Sequence, residues 1–248
     1  MSSERYQKIV EENKRFEKEI PYNFCDRWCE RCVHEKQAAC RVYLDDLERK
    51  VTCIAHGKDE DDSEIIGAVL EAQYGDIEEK MKEAGERFGI DLDFPDGEGL
   101  GEEQEIELED LPGDILEHIQ FVEKHPLPAT VEQYHERASA FLKENFYEKK
   151  DLPPEIKYHF ETVSWYHILL PAKLQRALAG FHEPACEGEL GFYDAVAQFS
   201  ICKKSIAESI KALKALEPHC PYHQYVLIEL LALLYNICDR ITAMEESI

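Results

Sequence analysis

The chain has 248 residues, enough for one large domain or two modest ones with a core of their own, so its nine cysteines are not needed as a disulfide scaffold. With 28 basic against 52 acidic side chains and a net charge of −24, its surface repels phosphate backbones. No basic patch offsets that field, which argues against a nucleic-acid partner. The most apolar run, 225–238, is shorter than the roughly 18 to 20 residues a membrane span needs and carries Glu229 and Asn236, so a buried helix is expected and no membrane association. No basic, apolar leader opens the chain and the cysteine count is odd; a cytoplasmic protein with reduced thiols is the expectation.

Helical periods dominate from the N-terminus onward. Ser2 or Ser3 can cap a first helix through Tyr6, Ile9 and Phe16, which Pro21 stops. A second is expected from about Glu35 through Val42, Leu47 and Ile54 to Gly57, and Asp61 with Glu64 forms a capping box for a third that Gly89 breaks. The stretch 91–112, dense in acidic residues and punctuated by Pro95, Gly97, Gly99 and Gly101, reads as a linker.

The helical period returns at Ile115 and Ile119, and Thr130 with Gln133 caps the next helix. Pro153 and Pro154 open another with Pro171 inside it, ended by Gly180. A stripe at Ala195, Phe199, Cys202, Ile206 and Leu213 and a last apolar helix through Leu227, Leu230 and Leu234 complete five helices after residue 112. The expected fold is all-α: an antiparallel bundle at 113–248 preceded by a smaller helical, cysteine-rich region at 1–90.

Chemistry concentrates in Tyr22-Asn-Phe-Cys-Asp-Arg-Trp-Cys-Glu-Arg-Cys and the cysteine eight residues on. Cys25, Cys29 and Cys32 fall at offsets of four and three, so on a regular helix they share one face and could be ordinary core. On one continuous helix, however, Cys25 and Cys40 would stand about 22 Å apart, too far to share a metal. A site therefore requires a turn between Cys32 and Cys40, in a stretch with neither proline nor glycine, where continuation is the local expectation. Arg27 and Arg31 beside the thiols favour the thiolate that binds metal. Three close cysteines and a more distant fourth point to a [4Fe–4S] cluster ahead of zinc, with Cys25, Cys29, Cys32 and Cys40 as ligands and His34 or the segment Cys53-Ile-Ala-His56 as the source of a substitute. The Cys-x3-Cys-x2-Cys spacing is similar to that of radical S-adenosylmethionine enzymes, but Arg31 stands where they carry an aromatic residue, and a helical chain lacks their β/α barrel.

The run 22–32, the segment 55–62 (AHGKDEDD) and a helical C-terminal half with Trp165 resemble an uncharacterised family of bacterial proteins. The likeness covers most of the chain. It implies a cysteine-rich N-terminus on a helical fold, with no activity attached.

Other constellations are thinner. Glu132-Gln-Tyr-His135 is a single Glu-x-x-His where a di-iron bundle needs two, and reads as an exposed capping turn. Glu155, His159 and His167 share one helical face; Glu132, His135, His159 and His167 define a possible metalloenzyme site in the bundle. Asp91, Asp93 and Glu102 fail as a calcium loop because Pro95 occupies the fifth position. No phosphate loop or nucleophile elbow is present, so no enzymatic motif is legible. The expected role is interaction, sensing or electron transfer with a protein partner, the alternatives being that metalloenzyme and a metal-free interaction module.

Overall fold

The computed structural model describes residues 4–88, 111, 113–149, 151–182 and 190–248. Among them the protein is helical throughout, with no strand, as an all-α reading requires. Helices α1 (Glu4–Glu19), α2 (His34–Ala39), α3 (Arg41–Ala55) and α4 (Ser63–Phe88) precede the acidic stretch. Helices α5 (Gly113–Lys124), α6 (Pro126–Leu142), α7 (Pro154–Phe181), α8 (Leu190–Leu216) and α9 (Gln224–Glu246) follow it. The expected linker, apart from Leu111, and the segment of the rejected calcium loop lie outside the described residues. No described helix is long and apolar enough to cross a membrane. By its contacts the chain divides into residues 1–31 with 108–248, and residues 32–107, so the boundary falls inside the cysteine motif where sequence reading places a helical region 1–90.

In the first unit, α6 to α9 close around one apolar core. Tyr134 and Phe141 of α6, Phe160 and Leu174 of α7, Phe199 and Leu213 of α8, and Leu230 and Leu234 of α9 are sealed from solvent. Each such side chain contributes about 1.5–3 kcal/mol by leaving water. Helices α7 and α8 pack most extensively, and glycine permits their approach: a Cβ on Gly180 would meet the Gly191 carbonyl oxygen at 2.6 Å. Gly180 thus serves close packing inside the last turn of α7, where sequence reading makes it a terminator. Helix α6 starts at Pro126, ahead of Thr130, because the His125 ring accepts from the Leu127 N–H at 3.3 Å; Thr130 instead lies within the helix and donates to the Pro126 carbonyl. The helix runs into a π-turn at Lys143–Tyr147, where the buried Asn145 amide donates to the Phe141 carbonyl at 2.9 Å.

The second unit is slighter. The single helix expected from Glu35 to Gly57 is broken at Cys40 into α2 and α3. Gly57, at φ 71°, ends α3 with its N–H on the Ile54 carbonyl and that of Lys58 on the Cys53 carbonyl, a left-handed stop. Helix α4 is capped by Asp62 rather than Asp61, its Oδ1 accepting from the Glu64 and Ile65 N–H groups at 3.2 Å.

Candidate metal centre

Cys25 and Cys29 sit in a segment strapped to the bundle by the residues between them. After α1, a 3-10 turn at Pro21–Asn23 brings the Asn23 carbonyl to the Gln198 amide of α8 at 3.1 Å. Asp26 is the principal anchor. Its carbonyl accepts from the Trp165 indole N–H at 3.0 Å, and its Oδ2 accepts from the Tyr166 hydroxyl and the Lys204 ammonium, each at 2.7 Å. Burial pushes the Asp26 carboxyl up, but the bonds from Lys204 and Tyr166 outweigh it and hold the group below its ordinary 3.8. Burial and the Asp26 charge push the Tyr166 phenol well above its usual range.

Trp28 stacks on Trp165 at 5.2 Å between centroids and meets Tyr166 edge-on. The Arg31 guanidinium covers the Trp28 ring at 3.5 Å, approaches Tyr158 at 3.9 Å, donates to the Thr162 hydroxyl at 2.8 Å and pairs with Glu161 at 3.2 Å. Arg31 is therefore engaged on α7, a use the thiolate-favouring reading of its position did not foresee. Arg27, at φ 53°, turns the chain between the two cysteines and is exposed. Cys25 and Cys29 are half-buried. The Cys25 sulfur lies 3.7 Å from the Tyr22 carbonyl, and Cys29 opens the 3-10 turn Cys29–Arg31.

Cys32 and Cys40 belong to the second unit, and both are half-buried. Cys32 occupies a bend before extended Val33 (φ −68°, ψ 139°), and Cys40 (φ −91°, ψ 109°) separates α2 from α3. The chain thus turns within the stretch where sequence alone favours an unbroken helix. None of the four cysteines lies inside an α-helix, which removes the reading of Cys25, Cys29 and Cys32 as a helical core stripe. The other described cysteines differ: Cys53, Cys202, Cys220 and Cys238 lie in or beside the helices, the first three sealed. Burial pushes the Cys202 thiol to about 12 and raises those of Cys220 and Cys238. Among the described residues, no group of three or more His, Cys, Asp or Glu side chains is gathered closely enough to hold a metal ion.

In the bundle, two of the four metalloenzyme candidates meet. His135 and His167 stack at 5.1 Å, each directing Nδ1 at a carbonyl, that of His167 at 3.0 Å and that of Ser164 at 2.7 Å. A carbonyl only accepts, so in the neutral rings Nδ1 carries the proton. Pro171 explains the first bond: lacking an N–H, it leaves the His167 carbonyl one turn back without a helical partner, and His135 takes it. Glu132 is exposed within α6 rather than in a capping turn, and His159 lies about 12 Å along α7 from His167, so the four do not converge. Burial, reinforced by His135, lowers the His167 pKa from 6.5.

No protein-family model, no curated protein and no solved structure matches the chain. Among the described residues, fold and geometry define an all-α protein.

Proposed function

We propose that Cys25, Cys29, Cys32 and Cys40 bind a metal centre, an iron–sulfur cluster ahead of zinc, in a cytoplasmic protein with an interaction, sensing or electron-transfer role. One observation supports the reading above the rest: the four thiols stand half-buried on turns, bends and extended residues, whereas Cys53, Cys202 and Cys220 are sealed. Metal ligands need sulfurs that can be deprotonated and turned toward a common point, which irregular backbone allows. The preference for iron–sulfur follows from three close cysteines with a more distant fourth.

The test is anaerobic purification followed by quantification of iron, acid-labile sulfide and zinc, with and without reconstitution. Wild type is expected to hold metal. Cys29→Ser with Cys32→Ser is expected to lose it while the helical signal persists. Protein that holds neither iron nor zinc and develops no visible charge-transfer absorbance on reconstitution would sink the proposal.

A further inference from the structure

A buried carboxamide on the first helix lacks one of its hydrogen bonds. Asn13, on α1, is 7 % exposed, and its Nδ2 donates to the Tyr193 carbonyl of α8 at 2.9 Å. Its Oδ1 is sealed from water and has no donor among the described residues. An amide oxygen so placed gives up its hydration and gains nothing in return, which natural structures rarely tolerate without a reason.

The reason lies in the cavity that this side chain lines. Tyr6, Val10 and Asn13 follow one another at steps of four and three residues along α1 and form one wall. Val196, Ser200 and Lys203 do the same along α8. Phe24 closes the third side, carried back over α8 by the turn at Pro21–Asn23, whose Asn23 carbonyl accepts from Gln198 at 3.1 Å. The space measures about 260 Å³. A water takes about 30 Å³ and needs two to four polar partners, so a single water at Oδ1 does not account for a cavity walled by Val10, Phe24 and Val196. A volume just under the ~300 Å³ at which drug-sized ligand sites begin suits a small molecule.

Charge narrows the class of that molecule. The Lys203 ammonium donates to Glu245 Oε2 at 2.5 Å and the Tyr6 hydroxyl to Glu245 Oε1 at 3.0 Å, with Glu245 only 5 % exposed, so the lysine charge is already balanced. Lys14 and Glu17, which also line the cavity, add one charge of each sign. No excess charge is left to hold an ionic ligand, and the net −24 of the chain repels anions. Asn13 Oδ1 offers an acceptor, and χ2 of asparagine is a broad torsion, so the carboxamide can turn toward a donor in the cavity.

We infer that this cavity binds a small uncharged molecule with an apolar body and an N–H or O–H donor, the chemistry of a primary amide or an alcohol. The donor bonds to Asn13 Oδ1 and the body packs on Phe24 and Val196. The site uses no cysteine, so its fate is separate from that of the proposed metal centre.

The experiment titrates the full chain with benzamide, with acetophenone, which keeps the ring and carbonyl but has no donor, and with benzoate, which carries charge. Binding is read by calorimetry and by saturation-transfer NMR. Wild type is expected to bind benzamide saturably at one site, and the other two about tenfold or more weakly. Ser200→Phe, at an exposed position of the lining, fills the cavity and abolishes benzamide binding with the helical signal intact. Asn13→Leu removes the acceptor, and the preference for benzamide over acetophenone disappears. Should Asn13→Leu not fold, the wild-type preference and Ser200→Phe decide. No saturable binding of benzamide to wild type, acetophenone binding as tightly as benzamide, or Ser200→Phe binding benzamide as tightly as wild type overturns the inference.

Discussion

The bundle of residues 108–248 and the cysteine-bearing helices of residues 32–88 are held by different means. In the bundle, four helices seal large side chains such as Tyr134, Phe160 and Phe199 to 1 % exposure or less. Between 32 and 88, among the residues whose burial is described, only Cys53 is buried, while Leu44, Leu47, Val51 and Ile54 along α3 stay 44–61 % exposed. What remains there is local: the Asp62 cap, the Gly57 stop, and exposed ion pairs such as Lys50 with Asp46 at 3.1 Å, each worth about 0–1 kcal/mol. Among the residues whose burial is described, hydrophobic burial explains the first region and does not explain the second.

Core truncation separates the two most sharply. Phe160→Ala, which removes a ring packed on Phe141 and Phe146, is expected to cost about 3–5 kcal/mol in urea unfolding, whereas Leu47→Ala stays within about 0.5 kcal/mol. Comparable losses would mean that the α3 face is covered and the contrast is false.

The strap across the bundle comes next. Asp26→Asn is expected to cost about 2 kcal/mol, since two charge-assisted bonds go with the carboxylate. The Asp26 pKa is depressed in the folded protein, so its contribution is complete above the unfolded value of 3.8 and is lost as pH falls through the lower folded value. The difference between wild type and Asp26→Asn should therefore shrink on acidification below about pH 4. A constant difference down to pH 2 would show that the carboxylate charge is not what holds the strap.

Metal removal should then act on one region only. Treating metal-loaded protein with chelator is expected to speed amide exchange in α2 and α3 by about tenfold, ~1.4 kcal/mol of local stability, and to leave α7 and α8 unchanged. Uniform change across both regions would remove the distinction.

The smallest effect belongs to His167. Its folded pKa lies below the ordinary 6.5, so the unfolded chain takes up a proton first and stability falls as pH drops below 6.5 toward the folded value. Replacing His167 with Gln should flatten that slope, and an unaltered slope would assign it to another group.

Much of the bundle was legible because its signals are local and agree with one another. Pro153 and Pro154 mark the start of α7, and the 195–213 stripe is buried as its period requires. The break at Cys40 was not legible, since residues 33–39 contain neither proline nor glycine and helix continuation is their local preference. The strap was hidden for another reason. Asp26, Trp28 and Arg31 read as spacers between thiols, and their partners Trp165, Tyr166 and Thr162 lie more than a hundred residues away, beyond the reach of any periodicity. The Pro171 signal could have found the His135 bond, because a proline inside a helix always leaves a carbonyl looking for a donor.

The stacked indoles have an optical consequence. Trp28 and Trp165 are the only two tryptophans in the sequence, and they lie 5.2 Å apart with their planes within 19° of each other. All indole fluorescence therefore originates at the joint between the cysteine loop and α7, and the two transition dipoles are close enough to couple. The native protein thus carries a spectroscopic gauge of that joint, readable in near-ultraviolet circular dichroism and emission without any label.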